Sequence, residues 1–216
     1  MKDFLCHENP DVVLLQETKR ESCDRRFVSS VWKVKNKDYV VLPTSKASRG
    51  VGIFRDALRF KSLEVVLGSF SITIKLKSEV KGAFWLTLAY GPSSSYFRKD
   101  FWMEFQVLSS LTFPKWCVGG DFNVIRRISK KLWGSKLTTR MRDFDDFIRD
   151  CELIDPPLRK VSSTWSNLQE IPIFKRLDKF LFSNEWEQGF LQSIQEAFPR
   201  LTSDHCPFVL DTNLFN

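Results

Sequence analysis

Between Pro10 and Glu17 the chain reads DVVLLQ, an unbroken apolar run of the kind found in strands buried on both faces. It predicts a strand over residues 11–16, with Glu17 and Thr18 at its exit. Residues 69–76 instead alternate, with Phe70, Ile72, Ile74 and Leu76 on one face and Ser69, Ser71, Thr73 and Lys75 on the other, which predicts a half-buried strand. The alternation returns at Phe84, Leu86, Leu88 and Tyr90 and stops at Gly91-Pro92, so Tyr90 belongs at a strand end. Residues 115–119 and 206–211 read as further short strands. Phe97, Phe101, Phe105, Leu108 and Leu111 recur at helical spacing, as do Met141, Phe144, Phe147, Ile148 and Cys151, and predict two amphipathic helices. Strands outnumber helices and often follow one another directly. The expected fold class is therefore α/β, a layered sandwich of two packed, mixed, largely antiparallel sheets flanked by helices.

Composition supports one domain over residues 1–216: 43% of the residues are hydrophobic, and the 20 Phe and 7 Trp are spread over the length with no polar linker between them. The five cysteines are odd in number and scattered without a C-x-x-C pair, the usage of free thiols in a reducing compartment. Asp3, His7 and Glu8 interrupt the first ten residues, and no stretch reaches the ~20 apolar residues of a membrane span, so a soluble, intracellular protein is expected. A net charge of +7 suits a polyanionic partner, although a merely basic, soluble surface accounts for it equally well.

Phosphate-loop, dinucleotide and serine-elbow motifs are absent, and the candidate chemistry lies in acidic and amide residues at strand ends. In Gly119-Gly120-Asp121-Phe122-Asn123, an extended backbone would put Asp121 and Asn123 on one side with Phe122 in the core; an Asx turn is the competing reading. Ser203-Asp204-His205 places one of two histidines beside a carboxylate just before a strand. Asp178, in Arg176-Leu177-Asp178, could orient that imidazole or be an ordinary surface charge. Arg126, Arg127, Lys130, Lys131, Lys136, Arg140 and Arg142 crowd the segment after the Asp-Phe-Asn motif, where they could neutralise phosphates or simply be solvated.

Taken in order, PDVVLLQET, YGP, GDFN, TWSN, RLD and SDH form a set far more specific than any member. The set resembles the endonuclease/exonuclease/phosphatase family, and PDVVLLQETK, GGDFNVI, STWSN, KRLDKFLFSNEW and SDHCPFVL look most like the endonuclease domain of plant LINE-type (non-LTR) retrotransposon polyproteins. The resemblance implies a DNA-nicking phosphodiester hydrolase using Mg2+, with Mn2+ as a substitute, acting as a monomer in the nucleus and fused in parent elements to a reverse transcriptase. It implies that Glu17 and Asp204 serve the metal, Asp121 activates water, Asn123, Tyr90 and His205 hold the phosphate, and Asp178 orients His205. Arg126, Arg127, Lys130, Lys131, Thr164 and Trp165 would face nucleic acid.

Two departures accompany the resemblance. Family members begin with a core strand ending in a metal-contacting Asn, followed by a helix; here Met1 falls within that helix, so the first strand is expected to be lacking. The segment 48–53 (SRGVGI) also lacks the adjacent glycines of plant relatives. A catalytically inactive, weakly nucleic-acid-binding remnant and a phosphoesterase with another substrate are the competing readings.

Overall fold

The computed structural model describes residues 1–17, 24–42, 50–126, 138–200 and 203–212. Along the chain the elements are α1 (Lys2–Glu8), β1 (Val12–Gln16), α2 (Arg25–Val31), β2 (Lys37–Leu42), β3 (Val51–Asp56), β4 (Lys61–Leu67), β5 (Ser71–Ser78), β6 (Gly82–Tyr90), α3 (Arg98–Thr112) and β7 (Trp116–Asp121). They continue with α4 (Thr139–Asp150), β8 (Leu153–Ile154), β9 (Leu158–Arg159), β10 (Trp165–Ser166), β11 (Phe174–Lys175), β12 (Asp178–Ser183), α5 (Asn184–Gly189), β13 (Ile194–Ala197) and β14 (Phe208–Asp211).

The alternating segments form the middle of a six-stranded sheet ordered β4-β5-β6-β7-β12-β8, antiparallel except where β6 and β7 run parallel. One face of it, including Ile72, Ile74, Leu86 and Leu88, packs with Val12 and Leu14 of β1, Val51 and Ile53 of β3, and Phe208 and Leu210 of β14. These come from two three-stranded sheets, β1-β3-β2 and β14-β13-β9, which therefore share one layer. The opposite face takes Phe101, Phe105 and Leu108 of α3 with Phe144, Phe147 and Ile148 of α4. Outside β1-β3-β2, Leu5 of α1 and Val28 of α2 pack with Val13 and Phe54. The result is helix, sheet, sheet, helix, the expected α/β sandwich of packed mixed sheets. No described helix is long and apolar enough to cross a membrane.

One expectation is overturned. The polar face of residues 69–76 is not solvated, since Ser71 and Thr73 are fully buried. With helices on one face and the small sheets on the other, the inner strands of this layer keep little wet surface, whereas the edge strand β4 stays largely exposed. The hydroxyls are satisfied internally: Ser71 donates to Glu104 at 2.6 Å, Thr73 and Thr87 share a hydrogen bond of 2.9 Å, and the Trp116 indole donates to Thr87 at 2.8 Å. Buried polar groups persist where such partners exist.

Among the described helices α2, α4 and α5 start at a residue whose side chain caps them, whereas α1 and α3 have no side-chain cap. Asp24 accepts from Phe27 N at 2.8 Å, Thr138 from Met141 N at 3.3 Å, and Ser183 from Trp186 N at 3.2 Å.

Candidate active site

Strand register brings the principal candidates together. The parallel β6-β7 pair sets Tyr90 beside Asp121, and the antiparallel β7-β12 pair sets Asp121 opposite Asp178. Three adjacent strand ends thus present a phenol and two carboxylates to one place, although the residues are far apart in sequence. Close backbone approach at this edge demands glycine: at Gly120 (φ 148°) a Cβ would lie 2.0 Å from the Ala89 carbonyl oxygen, and at Gly91 one would lie 2.4 Å from that of Phe122.

β7 ends at Asp121, and the backbone then turns left-handed at Asn123 (φ 51°) rather than continuing extended. Asp121 Oδ1 accepts from Asn123 N at 2.7 Å, and Asn123 Nδ2 donates to Gly91 O at 2.7 Å. The motif is therefore an Asx turn, which replaces the expected extended geometry while keeping Phe122 fully buried. Two buried cations hold the turn: Arg98 donates to Asn123 O at 2.8 Å and Phe122 O at 3.5 Å, and Lys179 donates to Val124 O at 3.4 Å. Neither was singled out from sequence. An Arg opening a helix and a Lys in a strand are unremarkable until the fold buries them, Arg98 to 5% and Lys179 to 1% exposure.

His205 Nδ1 lies 2.9 Å from Asp178 Oδ2, leaving Nε2 as the nitrogen that can meet a ligand. Thr164 locks this pair in place. Its hydroxyl accepts from Leu177 N at 3.1 Å and Asp178 N at 3.0 Å, and its carbonyl accepts from Cys206 N at 2.7 Å. Thr164 is fully buried, so it does not lie on an outer nucleic-acid face as expected. Its partner Trp165 is half-buried on the β10-β11 hairpin, donates its indole N–H to Asp204 Oδ2 at 2.9 Å, and carries the Lys175 ammonium 5.2 Å above its ring.

Glu17 follows β1 in a left-handed conformation (φ 51°) and accepts from the Tyr90 hydroxyl at 2.7 Å. Such a conformation is costly for a non-glycine residue and is commonest at functional sites. Among the described residues, the ligand atoms that gather within 4.8 Å of one another belong to Asp121, Asp178 and His205, whereas the resemblance implies Glu17 and Asp204 as the metal's carboxylates. Glu17, Asp121, Asp178, Asp204 and His205 all line one cavity of about 1780 Å³.

Burial, reinforced by the negative charge of Asp178, pushes the Asp121 carboxyl up to about 7, against the Asn123 N–H, His205 and Lys179. Burial alone would lower His205, but the Asp178 hydrogen bond and charge, helped by Asp121 and Asp204, carry it up to about 9. Burial lowers Lys179 to about 8. Burial would raise Asp204, yet the Trp165 hydrogen bond and the His205 charge hold it below its ordinary value.

Of the basic cluster, Arg126 is engaged internally, with Asp145 at 2.8 Å and Asp155 at 3.3 Å; Asp155 also pairs with Arg176 at 2.9 Å. Arg140 and Arg142 are exposed on α4. Arg127, Lys130, Lys131 and Lys136, like Thr18, Cys23, Ser48 and Arg49, lie outside the described residues. His7 is exposed beside Glu8.

No protein-family model and no curated protein matches the chain. Solved structures do. The AP endonuclease LMAP from Leishmania major superposes with a TM-score of 0.68 at 16% identity, covering 97% of this chain and 80% of that one. The 3′ phosphatase NExo from Neisseria, bound to product DNA hairpin, gives 0.72 at 15% identity over 97% and 91%. The endonuclease domain of TRAS1, a telomere-specific non-LTR retrotransposon, gives 0.71 at 12% identity over 99% and 91%. The chain has the DNase I-like fold of the endonuclease/exonuclease/phosphatase proteins.

Proposed function

We propose that this chain belongs to the endonuclease/exonuclease/phosphatase family and is a Mg2+-dependent phosphodiester hydrolase, a DNA-nicking endonuclease domain of the LINE retrotransposon type. The observation that carries the reading is the convergence of Tyr90, Asp121, Asp178 and His205 at adjoining strand ends, in a fold shared with an AP endonuclease, a DNA 3′ phosphatase and a retrotransposon endonuclease.

The donor set around the cleft suits a hard divalent cation, being mainly carboxylate oxygens with the imidazole committed through Nδ1 to Asp178. Glu17 and Asp204 would hold Mg2+, or Mn2+ in its place, and the bound ion supplies charge neutralisation at the phosphate and the leaving oxygen. Asp121, ionised above its raised pKa of about 7, accepts the proton of the attacking water. That water's oxygen bonds to phosphorus in line as the phosphorus–O3′ bond breaks; the departing oxygen takes a proton from solvent, leaving a 5′-phosphate and a free 3′-hydroxyl without a covalent intermediate. His205, kept protonated by Asp178 to about 9, donates through Nε2 to a phosphate oxygen as charge builds there. Tyr90 donates to Glu17 and so positions that carboxylate at the edge where phosphate would sit. Asn123, with its amide nitrogen donating to Gly91 O, holds the turn that aims Asp121, a positioning role in place of the phosphate contact that the resemblance implies. Trp165, with Arg140 and Arg142 exposed on α4, supplies contacts to flanking DNA. In this reading the domain works in the nucleus, beside a reverse transcriptase primed by the 3′-hydroxyl.

A supercoiled-plasmid assay with Mg2+ tests the reading, run with the wild type, Asp121→Ala and His205→Ala. Nicking by the wild type and its loss in both variants is expected; equal nicking by all three refutes the assignment. Abasic DNA and phosphorylated inositols, assayed in parallel, separate a DNA nickase from a phosphoesterase with another substrate.

A further inference from the structure

Asp155 is held between two fixed pieces of backbone. It follows β8, whose Ile154 pairs with Phe182 of β12, and it precedes Pro156 and Pro157. A residue before proline is confined to extended backbone and each proline fixes its own φ, so the Asp155 carboxylate has little freedom to wander. Its side chain is only 7% exposed and accepts from two guanidinium groups, Arg126 at 3.3 Å and Arg176 at 2.9 Å. Both arginines are anchored further: Arg126 donates to Asp145 of α4 at 2.8 Å, and Arg176 to Pro156 O at 2.8 Å.

Each arginine lies a short way along the chain from a residue of the candidate site. Arg126 is three residues past Asn123, which closes the turn at Asp121, and Arg176 is two residues before Asp178. Three residues of chain span at most ~10 Å, so neither segment has slack to absorb a shift of its arginine. Lys179 ties the same two segments a second time, donating to Arg176 O at 2.6 Å and Val124 O at 3.4 Å. Apolar residues of equal volume are often as stabilising as a buried ion pair; what the charged set adds here is a fixed geometry.

We propose that Arg126, Asp155 and Arg176 are positioning residues, a brace that holds the loop aiming Asp121 and the loop presenting Asp178 at a fixed separation. Through Asp178 the brace also places His205, which is bonded to it at 2.9 Å. None of the three lines the cleft, so they act through Asp121 and Asp178 rather than on substrate. Their catalytic consequence rests on the hydrolase reading above. For Arg126 this role replaces the nucleic-acid contact that the resemblance implies.

Two variants of the full chain test the brace, Arg126→Met and Asp155→Asn. Arg126→Met cuts the link to the Asp121 turn and leaves the Asp155–Arg176 pair, so it provides a folded protein even where Asp155→Asn does not. Hydrogen exchange followed by NMR reads positioning without any activity. The Asn123 amide, bonded to Asp121, is expected to exchange about tenfold faster or more in Arg126→Met, with the amides of β5 unchanged. Asp155→Asn should add the Asp178 amide, which donates to the Thr164 hydroxyl at 3.0 Å. In plasmid nicking, kcat of Arg126→Met is expected to fall by about tenfold or more, with KM for DNA and its salt dependence unchanged. A DNA-contacting Arg126 would instead raise KM and reduce the salt slope by about one, and that result overturns the proposal. Exchange at Asn123 equal to that of the wild type overturns it as well. A wild type that does not nick refutes the proposed function alone, and the exchange comparison still decides the brace.

Discussion

Asp178→Asn removes the charge of the carboxylate hydrogen-bonded to the His205 imidazole without changing the shape of the site. With Asp178 present, His205 is carried from 6.5 to about 9 although burial opposes the charge. At 1.36 kcal/mol per unit, a rise of that size corresponds to about 3 kcal/mol of preference for the charged imidazole, and the 26% exposure of its side chain reduces this toward ~1–3 kcal/mol. The folded-state pKa lies above the unfolded value. The stabilisation is therefore complete below pH 6.5 and disappears as the pH rises through about 9. The variant should thus be less stable than the wild type by ~1–3 kcal/mol at about pH 6. That deficit should vanish or reverse by about pH 10, where the imidazole is neutral and the Asp121–Asp178 repulsion has been relieved. Urea denaturation at several pH values measures the difference. The chain contains two histidines, so an NMR titration assigns His205 directly, with exposed His7 as the internal reference. In the variant His205 should titrate well below the wild-type value, since burial then faces only Asp121 and Asp204. An unchanged His205 titration, or a stability deficit constant from acid to alkali, would refute the coupling.

The nicking rate, as kcat/KM, should rise with pH through about 7 as Asp121 ionises and fall through about 9 as His205 loses its proton; a flat profile across that window removes both assignments. Lys179→Met removes a positive charge that lowers the Asp121 pKa, so the rising limb should move to higher pH, and a downward move contradicts the electrostatic account. Phe122→Ala empties the junction of Phe101, Phe105, Phe144 and Phe147, whose ring centroids lie 5.1–6.5 Å away. Thermal or urea unfolding should show a loss of about 3–5 kcal/mol, and a loss under about 1 kcal/mol would mean that the cluster does not hold the Asx turn.

Local pattern was a good guide wherever one periodicity ran long enough. The strands at β1, β5, β6 and β7 and the helices α3 and α4 were readable because alternation and helical spacing record which side of an element meets the core. Shorter elements such as β8 to β11 offer two residues each, too few for any period, and exist only because longer strands provide an edge to pair with. The solvent face assigned to Ser71 and Thr73 failed for a related reason: polarity marks a wet side only if nothing packs there, and α3 does.

By itself the sequence determined the layered α/β class, the strand ends that carry Glu17, Tyr90, Asp121 and His205, and the burial of Phe122, all properties of neighbouring residues. The tertiary structure alone decided that Tyr90, Asp121 and Asp178 share one register, that Asn123 closes a turn clamped by Arg98 and Lys179, and that Thr164 positions the Asp178–His205 pair from inside. It also placed Asp155 between Arg126 and Arg176. Register and burial of charge depend on which strands become neighbours. That choice is made by the whole chain's packing and is invisible in any one segment.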